Sequence, residues 1–69
     1  MFFMELGEKI LELRKNMNIS QQKLAKEIGA TQKAIDFWEK GINEPKASYI
    51  KNLAIYFGVS TDYLLGLEK

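Results

Sequence analysis

The sequence predicts an all-α domain of five short helices, on three observations. Apolar residues recur at three- and four-residue spacing in successive segments, glycine or a small hydroxyl residue punctuates those segments, and no stretch alternates like a strand. At 69 residues the chain has room for one domain, expected to span 1–69 with its core in 5–66. A domain this short buries only about 60% of its unfolded surface, so it needs efficient packing or a partner subunit.

Leu6, Ile10, Leu13 and Met17 share one helical face, while Glu8, Glu12 and Lys15 fall elsewhere, so residues 5–17 read as the first helix. Its acidic start and the Arg14-Lys15 pair near its end suit the helix dipole. Asn18-Ile19-Ser20 breaks the pattern. Ser20 is a good N-cap, and Ile19 with Leu24 forms a hydrophobic staple around it. Leu24, Ala25 and Ile28 give the second helix its inward stripe, and Gly29 is expected to end it in a left-handed conformation. Thr31 caps a third helix, over 31–40, that points Ile35 and Trp38 inward and leaves Gln32, Lys33, Asp36, Phe37 and Lys40 outside. Gly41-Ile42-Asn43-Glu44-Pro45 is a loop. Ile50, Leu53, Ala54 and Phe57 define a fourth helix over 47–57, closed by Gly58. Val59 and Leu64 then bracket the cap Ser60 of a short fifth helix ending near Gly66. Tyr63, Leu64, Leu65 and Leu67 crowd this last segment and suit either closing the core or binding a second copy of the chain.

Cys and His are both absent, which excludes disulfides, thiolate or imidazole catalysis, and zinc sites built from these ligands. The remaining carboxylates and lysines form no paired acid-base set, and no glycine-rich phosphate loop is present, so no enzyme, cofactor, metal or small-molecule site is expected. The apolar start Met1-Phe2-Phe3-Met4 lacks preceding basic residues and is broken by Glu5, so neither a signal peptide nor a membrane span is expected, and the cytoplasm is the expected location. Net charge is only +1, yet eight basic residues face four acidic ones between Arg14 and Lys51. Positive charge thus gathers in the middle of the chain.

Taken in order, Leu13-Arg14, Ser20-Gln21-Gln22-Lys23-Leu24-Ala25, Gly29, Ile35, Trp38-Glu39-Lys40-Gly41, Pro45 and Gly58-Val59-Ser60-Thr61-Asp62-Tyr63-Leu64-Leu65-Gly66 resemble the helix-turn-helix domains of the phage Cro and repressor type, the XRE family. The resemblance runs from Leu6 to Gly66. It implies a compact five-helix, lambda-repressor-like domain whose second and third helices form the motif. It also implies a small transcription regulator, expected to be a repressor, that binds a near-palindromic double-stranded operator as a homodimer. Recognition helices would then sit about 34 Å apart on one face of the duplex.

Under that resemblance the third helix enters the major groove, and Gln32, Lys33, Asp36 and Phe37 are the expected base-reading residues. Gln pairs with adenine and Lys with guanine, although a phosphate contact suits Lys33 equally. Phe37 either meets a thymine methyl or folds back on the loop from Ile42 to Pro45, and Asp36 either accepts from a cytosine amino group or pairs with a lysine. Gln21, Thr31, Lys40, Asn43 and Lys46 are the expected contacts to the DNA backbone, and Arg14 and Glu39 an expected structural ion pair. The alternative is a protein-interaction module or antitoxin-like accessory regulator on the same fold, motivated by Phe37, by Phe2-Phe3 and by the low net charge.

Overall fold

The computed structural model describes residues 2–68, with side chains from Glu5 to Glu68. Five helices follow in order: α1 (Phe2–Asn16), α2 (Gln21–Ile28), α3 (Gln32–Glu39), α4 (Ala47–Phe57) and α5 (Thr61–Leu64). Three of the four connections end on a side-chain cap: Ser20 Oγ accepts from Lys23 N, Thr31 Oγ1 from Ala34 N, and Ser60 Oγ from Tyr63 N. Each removes one of the amides that a helix start leaves without an internal acceptor.

The helix ends share one hydrogen-bond pattern. The amide of the residue just past the left-handed position returns to a carbonyl five residues back: Ile19 to Arg14, Ala30 to Ala25, Ile42 to Phe37, Val59 to Ala54 and Leu67 to Asp62, at 2.8–3.3 Å. This is the Schellman arrangement, and it requires a positive φ at the preceding residue. Gly29, with φ of 79°, meets that requirement in the tight connection between α2 and α3, while Asn18 meets it with φ of 57° after α1. The early reversal at Asn18 corrects one expectation. Met17 does not complete the inward stripe of α1; it lies in the turn beyond the helix with 45% of its surface exposed. At its other end α1 begins before residue 5, since no glycine or proline interrupts residues 2–4. The side chains of the apolar Phe2-Phe3 start lie outside the described ones.

The core is one cluster drawn from every helix: Leu6 and Ile10, Leu24, Ala25 and Ile28, Ile35 and Trp38, Leu53 and Ala54, and Leu64. Six of these (Leu6, Ile10, Leu24, Ile35, Leu53, Leu64) are fully buried, each contributing about 1.5–3 kcal/mol by leaving water. Trp38 stacks obliquely on Tyr49, with ring centres 5.2 Å apart, joining α3 to α4. In the terminal segment Leu64 closes the core and Leu65 packs against it, Tyr63 is half-buried beneath the Lys9 ammonium, and Leu67 remains exposed. α1 crosses the C-terminal end of α3 at the buried Gly7. A β-carbon there would penetrate the Trp38 carbonyl oxygen and stand 3.2 Å from that of Glu39.

Candidate nucleic-acid interface

The outer surface of α2, the Gly29-Ala30-Thr31 turn and α3 carries most of the residues singled out from the sequence. Ile35 and Trp38 anchor α3 to the core, and the helical period therefore sends Gln32, Lys33 and Lys40 outward, with Asp36 and Phe37 at its flank. Gln32 and Lys33 are exposed at the N-terminal end of the helix. Their amides and those of Gln21 and Gln22 open two helices and have no intrahelical acceptor. Between these two helix starts lies a shallow cleft of about 550 Å³ lined by Ser20, Gln22, Lys23, Ala25, Lys26, Ala30 and Gln32. Gln22 and Lys26 were not singled out from the sequence. Their i, i+4 spacing on the outward face of α2 was the available signal, but only the turn brings that face beside Gln32.

A polar chain fixes α3 to the rest of the domain. Arg14 on α1 donates from Nε to Glu39 Oε2 at 2.7 Å and from Nη2 to Glu39 Oε1 at 3.1 Å, and its Nη1 donates to the Ile19 carbonyl at 2.9 Å. Both side chains are largely buried, with 12% and 5% of their surfaces exposed. The hydrogen bond to Glu39 raises the Arg14 pKa further, against the opposing effect of burial. Gln21 extends the chain from α2. Its side-chain amide donates to Glu39 Oε1 at 2.9 Å and to Asp36 Oδ1 at 3.1 Å. Lys40 completes it through Asp36 Oδ2 at 3.0 Å. The Asp36 carboxyl is held below its ordinary pKa by the hydrogen bonds from Lys40 and Gln21, in that order.

The sequence-singled residues therefore fall into separate settings. Arg14, Glu39, Gln21, Asp36 and Lys40 are joined in one network inside and along the motif. Thr31 caps α3 at the rim of the turn. Asn43 and Lys46 are exposed in and just after the loop that follows α3, with Lys46 at the start of α4 and making no side-chain cap. Phe37 is half-buried and is not among the side chains packed on the core, and Lys33 Nζ lies 5.5 Å from its ring centre. Ile42 in the adjoining loop is exposed, with 59% of its surface free. Among the described residues no group of acidic side chains stands close enough to hold a metal ion, and no helix is long and apolar enough to cross a membrane.

Comparison with known proteins places this geometry. Residues 10–64 match the family model described as helix-turn-helix. The chain belongs to the XRE family of helix-turn-helix domains. This helix-turn-helix chain is 35% identical over 66 residues to the HTH-type transcriptional activator BcrR of Enterococcus faecalis, covering 96% of the chain and 32% of the relative. It is 37% identical over 60 residues to Repressor protein C2 of Salmonella phage P22, covering 87% of the chain and 28% of that protein. The chain thus spans about a third of the length of these curated relatives. Among solved structures it is similar to the P22 c2 repressor protein in complex with synthetic operator 9T in the presence of Tl+. That match has a TM-score of 0.86 at 35% identity and covers 91% of this chain and 96% of the solved one.

Proposed function

We propose that this helix-turn-helix domain reads double-stranded DNA for a transcription regulator, with α3 in the major groove. The observation that carries the reading is the exposure of Gln32 and Lys33 at the leading end of a helix that the Arg14-Glu39-Gln21-Asp36 chain holds rigidly to the core. A groove about 12 Å wide admits such a helix, Gln offers a bidentate partner to adenine, and Lys donates to guanine O6 and N7. The likeness to a repressor solved on a synthetic operator supports the same docking.

Backbone contacts then come from the open amides of Gln21 and Gln22, since the Gln21 side-chain amide is committed to α3. The Thr31 hydroxyl still has its proton to donate, and the exposed Asn43 and Lys46 flank the far strand. Lys40 exchanges Asp36 for a phosphate. The regulator acts as a homodimer on a near-palindromic site and represses by occupancy, with Ile55 and Leu67, each 69% exposed, offering apolar surface to a second copy.

The test is fluorescence anisotropy with duplexes enriched from a random pool, against a scrambled duplex, at roughly 50 mM salt. The enriched duplex is expected to bind about a thousandfold or more tightly than the scrambled one. Equal affinities refute the reading. Sedimentation at micromolar concentration, with and without the duplex, checks the dimer, and a promoter-reporter fusion decides between repression and activation.

A further inference from the structure

Lys33 and Phe37 stand one turn apart on α3, and their side chains are in contact, the ammonium 5.5 Å from the ring centre. Charge sets this lysine apart from Lys40 on the same helix. Arg14, Lys23 and Lys40 are each matched to a carboxylate, whereas Lys33, like Lys26 and Lys46, forms no ion pair among the described residues, and of these three only Lys33 lies over an aromatic ring. Asp36 is the carboxylate nearest to it along the same helix, and both its oxygens are taken, Oδ1 by Gln21 and Oδ2 by Lys40. The Lys33 ammonium therefore has no carboxylate partner on its own helix and lies over an aromatic face. Phe37 is equally distinct. It has an aromatic ring, yet it lies off the core and on the flank of the reading surface.

We propose that the Lys33–Phe37 pair reads a two-base step, a 5-methylpyrimidine next to a guanine; the proposal rests on the DNA-binding reading above. Guanine offers two acceptors to an ammonium in the major groove, and the C5-methyl of thymine is the apolar group there that a phenyl ring can cover. Stacked bases rise about 3.4 Å per step. The 5.5 Å between the ammonium and the ring centre is less than two rises, and the sideways displacement that duplex twist adds to a single rise supplies the excess over one, so the groups serve adjacent bases. Because 5-methylcytosine carries its methyl group at the same ring position as thymine, methylation of a cytosine before guanine restores the same contact. The site is therefore sensitive to cytosine methylation as well as to sequence.

The test uses the full chain and the duplexes it enriches from a random pool. The enriched half-site is expected to contain a thymine–guanine step. Replacing that thymine by uracil is expected to weaken binding about fourfold, the factor for one buried methyl group, and 5-methylcytosine is expected to exceed cytosine by the same ratio. Phe37→Gln, which keeps the helix preference and removes the ring, brings both ratios to one while overall helicity and melting are retained; Phe37→Ala repeats the comparison at smaller volume. Replacing the guanine by 7-deazaguanine is expected to cost the native protein roughly fivefold and to cost Lys33→Ala nothing further. Enriched duplexes without that step, or indifference of the native protein to uracil, overturn the proposal and leave DNA binding standing. A pool with no enriched duplex overturns the DNA-binding reading and this proposal with it.

Discussion

Gly7→Ala sets helix propensity against packing, and the two effects have opposite signs. In an isolated helix alanine is favoured over glycine by about 0.8–1.0 kcal/mol, which alone would stabilise α1. In this fold the added methyl group penetrates the Trp38 carbonyl oxygen and stands 3.2 Å from the Glu39 carbonyl oxygen. Both are main-chain atoms of α3, so neither can rotate away, and the two helices have to separate. Overpacking of this kind costs about 1–3 kcal/mol. The upper part of that range applies, because the Arg14–Glu39 pair at 2.7 Å spans the same two helices and stretches with them. The net expectation is a loss of about 1–2 kcal/mol after the propensity gain. For a domain of this size each kcal/mol lowers Tm by about 4–8 °C. Thermal and urea melts followed by circular dichroism measure it, with Lys15→Ala, exposed on the same helix, as a control expected to stay within about 0.5 kcal/mol. A Gly7→Ala protein that melts above the native one would refute the close crossing of α1 and α3.

Arg14→Ala leaves the Glu39 carboxylate buried with only the Gln21 amide for a partner; a destabilisation of about 3 kcal/mol is expected in urea titrations, and a native-like midpoint would count against the pair. Gly29→Ala meets no atom within 4 Å but must adopt a φ of 79°, so its cost is backbone strain alone, about 1–2 kcal/mol, visible as a lower urea midpoint with an unchanged m-value. Asp36 links stability to pH. Its folded pKa lies below its ordinary value, so its contribution is complete above that value and is lost as pH falls through the depressed one. Between about pH 6 and about pH 2.5 the native urea midpoint is therefore expected to fall more steeply than that of Asp36→Asn, and parallel curves would remove Lys40 and Gln21 as the cause.

The element order was legible because most helix starts and stops are marked in local chemistry. Ser20, Thr31 and Ser60 cap helices, and Gly29, Gly41, Gly58 and Gly66 take positive φ where helices end. Met17 was misread because periodicity extends a stripe as long as apolar residues continue, whereas the helix stops where Asn18 turns left-handed. Asn adopts that conformation less readily than Gly, so its signal is weaker. Gly7 left no readable signal. Glycine inside a helix reads as a local weakness, and its reason is the backbone of α3 more than 30 positions away.

The same division holds for the reading surface. That Gln32 and Lys33 face outward followed from the sequence alone, since Ile35 and Trp38 fix which side of the third helix is apolar. What surrounds them followed only in part. Asp36–Lys40 and Lys33–Phe37 are neighbours one turn apart on α3 and lie within reach of helical period, whereas the commitment of the Gln21 amide to both Asp36 and Glu39 depends on how α2 is set against α3. Helical period and capping act within a turn or two of the chain, so sequence determined the elements and their outward faces. Contacts between helices act across 15 to more than 30 residues, as from Gln21 to Asp36, from Arg14 to Glu39 and from Gly7 to Trp38, so only the tertiary structure decided that Arg14 and Glu39 neutralise each other and that the second Asp36 oxygen is occupied.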